Sequence, residues 1–147
     1  MNARSKPTRS NMNAHKYLKQ LYDLNKRIKA QAMMLEEITT TVLSIAAPSF
    51  DKERVQSSGN GRDNALIKLM ETEHKLNKNK IRYAMKQAKI INQIAELDGQ
   101  YQEILTRRYV KFQEYQAIAD EMGYSIQHIF RLRKEALQAF ERRFPRC

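Results

Sequence analysis

From Ala14 onward, apolar residues return at alternating spacings of three and four. One column holds Ala14, Leu21, Ile28, Leu35 and Val42; the other holds Tyr17, Leu24, Gln31, Ile38 and Ile45, with Gln31 the single polar member. A repeat averaging 3.5 residues keeps one stripe of a helix turned toward a partner, so this stretch predicts a long helix with a coiled-coil seam. Pro48 ends it, because proline has no amide hydrogen and its ring clashes with the preceding turn. A second long helix is predicted from about Ala65 to Leu97. Its column Leu69, Leu76, Tyr83, Ile90 and Leu97 is apolar throughout, whereas Leu66, Glu73, Lys80, Gln87 and Ile94 is polar in the middle. Polar seam positions cost stability but penalise wrong registers. Two such helices predict an antiparallel hairpin over residues 13–97, with a homodimer through the long helices as an extension of the same seams.

The connection, residues 48–64, reads PSFDKERVQSSGNGRDN, and Asp63 or Asn64 is suited to cap the second helix. Gly59 and Gly61 lack the lysine-plus-hydroxyl ending that a phosphate-cradling loop requires. Residues 1–12, with Arg4, Lys6 and Arg9 around Pro7, read as a disordered basic arm.

Asp98-Gly99 breaks the second helix, and the pattern then shortens. Tyr101, Ile104, Leu105 and Tyr109 mark one helix, Phe112 to Met122 a second, and Ser125 to about Arg143 a third. The fold class is therefore all-α: a long helical hairpin, then a small three-helix domain at residues 98–147. Within that domain lies IADEMGYSIQHIFRLRKEAL. Ile118, Ala119 and Met122 share one face of its first helix, and Gly123 supplies the left-handed residue that ends it. Ser125 sits where an N-cap belongs, and Ile129, Leu132 and Ala136 form the inward stripe of the next helix. Gln127, His128 and Arg131 then remain outward, at the end of a recognition helix that enters the major groove first, which makes them the base-contact candidates. Arg107, Arg108, Lys111, Ser125, Lys134, Arg142 and Arg143 are the phosphate-contact candidates. Two amphipathic helices meeting at a glycine, with charge serving only solubility, is the bland alternative.

Charge changes the weight of these readings. The 147 residues carry 27 Lys and Arg against 16 Asp and Glu, a formal net charge of +11, which attracts a polyanion. Lys75, Lys78, Arg82, Lys86 and Lys89 fall within about 80° of the second helix at 100° per residue, a basic stripe that is either a phosphate track or a solvated face. Only 4 Gly and 3 Pro punctuate the chain, which favours helices over an all-β fold. The single cysteine, Cys147, allows no intrachain disulfide, and His15, His74 and His128 are too scattered for a metal site. No cofactor, metal site or catalytic constellation is expected, so the chain reads as a non-enzyme. Residues 1–16 show no apolar signal core, and no apolar run is long enough for a membrane span.

The run RRYVKFQEYQAIADEMGYSIQHIFRLRKEALQAF resembles the region-four helix-turn-helix of sigma-70-type factors. The shared elements are Arg108, Tyr109, Ile118-Ala119, Met122-Gly123, Ser125, Ile129 and Ala136-Leu137. Across the chain, KYLKQLYDLNKRIKA, ERVQSSGNG and GYSIQHIFRLRKEAL resemble a family of small phage and prophage proteins of Gram-positive bacteria, grouped with ArpU-like and RinA-like late transcription regulators. The resemblance implies a regulator that binds double-stranded promoter DNA in the host cytoplasm, and it leaves RNA polymerase open as a second partner. The other sigma-factor regions are lacking, which argues against a complete sigma factor. A small terminase-like packaging subunit and a helical protein-binding adaptor are the alternatives. In the terminase class the DNA-binding part generally comes first, whereas here it comes last.

Overall fold

A computed structural model describes residues 13–46 and 60–146, and all of their regular structure is helical: α1 (Ala14–Ala46), α2 (Asn60–Ile94), α3 (Gly99–Leu105), α4 (Tyr115–Met122) and α5 (Ile126–Arg143). α1 and α2 form the long antiparallel hairpin, and three shorter packed helices follow, as the spacing predicts. The basic arm at residues 1–12 and the connection at residues 47–59 lie outside the described residues.

Asn13 starts α1. Its side-chain oxygen accepts from the Lys16 amide at 3.0 Å, which gives one free N-terminal donor a partner, and its carbonyl accepts the first helical bond, from the Tyr17 amide at 3.0 Å. α2 begins at Asn60 rather than near Ala65. Asp63 is thus a first-turn residue, where its charge suits the positive helix end, and neither Asp63 nor Asn64 is a cap. Gly61 lies within the helix although glycine is a poor helix former. At the other end, α2 stops at Ile94 and tightens: the Glu96 and Leu97 amides donate three residues back, to Gln93 and Ile94.

The chain divides into two compact units. Residues 24–84 form one, the tip of the hairpin. Among its described residues only Leu24 and Leu76 are buried apolar side chains. Gln31, the polar exception in the α1 seam, accepts from the Asn79 side-chain amide at 2.8 Å. Asn79, with Thr72, thus flanks the Leu69, Leu76 and Tyr83 column on the side toward α1. Leu66, Glu73 and Lys80, the column that the spacing places in the seam, are instead exposed, because the helix is rotated to turn the other flank inward.

The second unit comprises the described residues up to Asp23 and those from Met85 onward. Its core draws Leu18 and Leu21 from α1, Ile90 and Ile94 from α2, Ile104 and Leu105 from α3, Ile118 and Ala119 from α4, and Ile129, Leu132, Ala136 and Phe140 from α5. Polar contacts reinforce it. The Tyr17 hydroxyl donates to Gln93 at 2.8 Å, and the Ala14 amide donates to the Glu141 carboxylate at 3.0 Å. Three helices of this size are near the lower limit for independent folding, and Leu18, Leu21, Ile90 and Ile94 add to their core. The ends of the hairpin complete it.

α3 runs into a π-helical turn, Thr106–Val110, and the Lys111 amide donates to the Thr106 carbonyl at 2.9 Å. Phe112 follows at φ 59°, the left-handed region that a bulky side chain rarely occupies. Residues 112–114 are consequently outside the helix that the apolar pattern starts at Phe112, and α4 begins at Tyr115.

Candidate nucleic-acid interface

The turn between α4 and α5 is built by three consecutive residues. Gly123 takes φ 71° and its amide donates to the Ala119 carbonyl, closing α4. The Tyr124 amide reaches the same carbonyl at 3.0 Å, and the Tyr124 hydroxyl accepts from the Gln100 side chain at 3.1 Å. Ser125 then adopts extended backbone, and its hydroxyl accepts from the His128 amide at 3.2 Å. The Ser125 hydroxyl therefore serves as the helix cap as well as lying at the α5 N-terminus.

Burial of Ile129, Leu132, Ala136 and Phe140 fixes the rotation of α5. At 100° per residue, Gln127, Arg131, Lys134 and Gln138 fall within about 60° of one another and roughly opposite that stripe. All four are exposed. Neither Arg131 nor Lys134 has an ion-pair partner among the described residues, so both charges face outward unpaired. His128 does not share this face fully. It is half-buried, with its ring 4.5 Å from that of Tyr124, and it serves the turn as much as the surface. Gln138 belongs to the face but escaped the sequence reading; its signal was the spacing of four from Lys134.

The phosphate-contact candidates separate into two groups. Lys111 and Arg142 are exposed, and no ion pair engages them among the described residues. Arg107 is committed elsewhere: it bonds Glu103 at 3.1 Å and Glu121 on α4, pinning the π-helical turn to its neighbour. Arg108 donates to the Gln113 carbonyl at 2.9 Å, lies 3.8 Å from Glu114, and stacks 4.0 Å from the centre of the Tyr115 ring. Arg143 pairs with Glu96 at 2.6 Å. The Glu121 and Glu96 pairs tie helices together within the unit and join residues far apart along the chain, whereas Glu103–Arg107 is an ordinary i,i+4 helical pair whose spacing was open to the sequence. Of the basic stripe, Lys75, Lys78 and Arg82 are exposed on the hairpin tip. Lys89 is exposed in the second unit, where Lys86 is half-buried and donates to Gln20 at 2.6 Å.

A second polar cluster lies at the start of α1. The Tyr109 hydroxyl is 2.7 Å from His15 Nδ1, and Arg133 reaches both, at 3.3 Å from the hydroxyl and 3.1 Å from Nδ1. Since a guanidinium only donates, Nδ1 accepts here and the proton of that nitrogen is absent. Desolvation, followed by the charges of Arg133, Lys19 and Arg108, lowers the His15 pKa and favours this form. Burial raises the Tyr109 pKa, and Arg133 opposes that rise. Beside the cluster, His15, Lys19, Tyr22, Arg108, Tyr109, Phe112 and Glu114 line a cleft of about 160 Å³. His15 carried no role in the sequence reading, because its partners are far away along the chain.

Residues 44–141 match the model of a family described as a protein of unknown function (DUF1492). The chain belongs to the DUF1492 family. No curated protein and no solved structure matches it. The matched segment of this DUF1492 chain takes in the last residues of α1 and all of α2, α3 and α4, and reaches into the last turn of α5. Among the described residues, no helix is long and apolar enough to cross a membrane. Nor does any group of three or more His, Cys, Asp or Glu among them have metal-binding geometry.

Proposed function

We propose that this DUF1492 chain is a sequence-specific DNA-binding transcription regulator of phage or prophage origin, in which residues 98–147 bind duplex DNA and α5 reads the major groove. One observation carries the reading: α5 presents Gln127, Arg131 and Lys134 on an exposed, unpaired face opposite its buried stripe, directly after a Gly123–Ser125 turn. Amide and guanidinium groups at the front of such a helix suit base edges, and a +11 chain supplies attraction to phosphate. Gln127 and Arg131 are the base-reading pair; His128 is a weaker member because it packs on Tyr124. Lys111, Lys134 and Arg142 are the free phosphate contacts, whereas Arg107, Arg108 and Arg143 support the shape of the unit. Two copies, joined through the long helices, address two half-sites, with RNA polymerase as a further partner at the promoter.

Selection of bound fragments from genomic DNA, at moderate and high salt, tests the reading. The expected result is an enriched motif whose binding weakens steeply with salt. Arg131→Ala and Gln127→Ala should each remove preference at one position, at about 1–3 kcal/mol, with helicity unchanged. Lys134→Ala should instead weaken binding to all sequences alike. No motif and no salt dependence would overturn the reading in favour of a protein-binding adaptor.

A further inference from the structure

α2 carries a second heptad seam that α1 does not cover. Along the hairpin tip, Ile67, Met70, His74, Asn77, Ile81 and Ala84 recur at spacings of three, four, three, four and three. All six are exposed, and the large apolar ones strongly so: Ile67 by 53%, Met70 by 69% and Ile81 by 63%. At 100° per residue this stripe lies roughly 130° from the Leu69, Leu76 and Tyr83 column and roughly 105° from Lys75, Lys78 and Arg82. The helix is thus three-sided: one side seats α1, one is basic, and one is an open apolar seam.

We infer that this seam pairs antiparallel with the same seam of a second copy of the chain, about a two-fold axis between His74 and Asn77. Charge sets the orientation. Glu71 and Glu73 flank the N-terminal half of the seam, while Lys78 and Lys80 flank the C-terminal half. An antiparallel partner sets Glu71 against the second copy's Lys78 and Glu73 against its Lys80, and the symmetry repeats both pairs. The seam residues match in the same register. Ile67 meets Ala84, Met70 meets Ile81, and His74 meets Asn77, so the two polar members pair with each other and large residues meet smaller or flexible ones. A parallel arrangement keeps only Glu73 against Lys78, leaves Glu71 opposite Leu66 and Lys80 opposite Met85, and stacks His74 on His74, so it forms half as many charge pairs as the antiparallel one. Heptad seams of this kind bury their apolar members by knobs-into-holes packing, with flanking charges selecting the orientation.

This pairing rests on the two-copy part of the reading above and is independent of DNA, so the test uses the full chain alone. Sedimentation equilibrium should show a dimer, and Ile81→Glu should weaken self-association at least roughly a hundredfold, because it places an unpaired charge in the seam. Ile81 is exposed in the single chain, so helicity measured by circular dichroism should not change. Orientation is read by disulfide trapping in a Cys147→Ser background. Chains bearing Ile67→Cys mixed with chains bearing Ala84→Cys should cross-link to each other, and Ile67→Cys chains alone should not. A folded monomer would overturn both the pairing and the two-copy reading. A dimer that tolerates Ile81→Glu, or that traps Ile67 on Ile67, would overturn the pairing alone.

Discussion

Residues 24–84 bury Leu24 and Leu76, whereas the unit containing α3, α4 and α5 encloses Ile104, Leu105, Ile118, Ile129 and Phe140 almost completely. Both are helical and amphipathic, so helix formation does not distinguish them. The number of packing partners does. Two helices alone shield one stripe each, and even members of that stripe stay half-covered, as Leu35, Ile38 and Leu69 do. Five chain segments converge in the other unit, so its apolar residues are covered from several sides. The hairpin tip therefore keeps large apolar side chains exposed, and the second unit encloses the inward stripe of α5 while its opposite face stays outward.

Core truncation should expose this contrast most strongly. Phe140→Ala removes a fully buried ring and should cost about 3–5 kcal/mol, whereas Leu43→Ala, exposed on the tip, should stay within about 0.5 kcal/mol. Urea unfolding followed by circular dichroism measures both. Glycine replacements sharpen the comparison with opposite signs. A Cβ meets no atom within 4 Å at either Gly123 or Gly61, so only the backbone decides. Gly123→Ala must hold φ 71° and should destabilise by about 1–2 kcal/mol, while helical Gly61→Ala should stabilise by about 0.5–1 kcal/mol, both read as melting-temperature shifts.

The smallest effect is pH dependence, and it belongs to one unit. His15 has its pKa lowered below 6.5 in the folded chain, so the folded state binds fewer protons than the unfolded state under mildly acidic conditions. Its neutral form contributes full stability above about pH 6.5, and that contribution falls as pH drops from there through the lowered folded value. Unfolding free energies at neutral and mildly acidic pH should show this decline. His15→Gln should flatten it, and a slope unchanged by that substitution would assign the pH dependence elsewhere.

Much of the fold was legible in local pattern. Heptad spacing marked α1 and α2, and Gly123 with Ser125 marked the turn, because caps and seams depend on residues within a turn or two of each other. Helix starts were less legible. Asn60 to Asn64 read as turn-formers yet continue α2, and Phe112 reads as helical yet takes a left-handed backbone. The outward face of α5 followed from the inward spacing of Ile129, Leu132 and Ala136. Which of its neighbouring charges remain free did not: the i,i+4 spacing of Glu103 and Arg107 announces one pair, but Arg107 also meets Glu121 and Arg143 meets Glu96, partners that no helical spacing specifies.

The sequence by itself determined an all-helical chain, the Leu69, Leu76, Tyr83 and Ile90 column of the hairpin seam, the turn before α5 and a large basic excess, all of which arise from periodicity, local hydrogen bonding and composition. The tertiary structure alone decided which charges are spent and which surfaces are uncovered. It brought Glu121 to Arg107, Glu96 to Arg143, and Tyr109 with Arg133 to His15, and it left α2 with an open seam. A charge or an apolar side chain is free only relative to its neighbours in space, and chain order does not specify those neighbours.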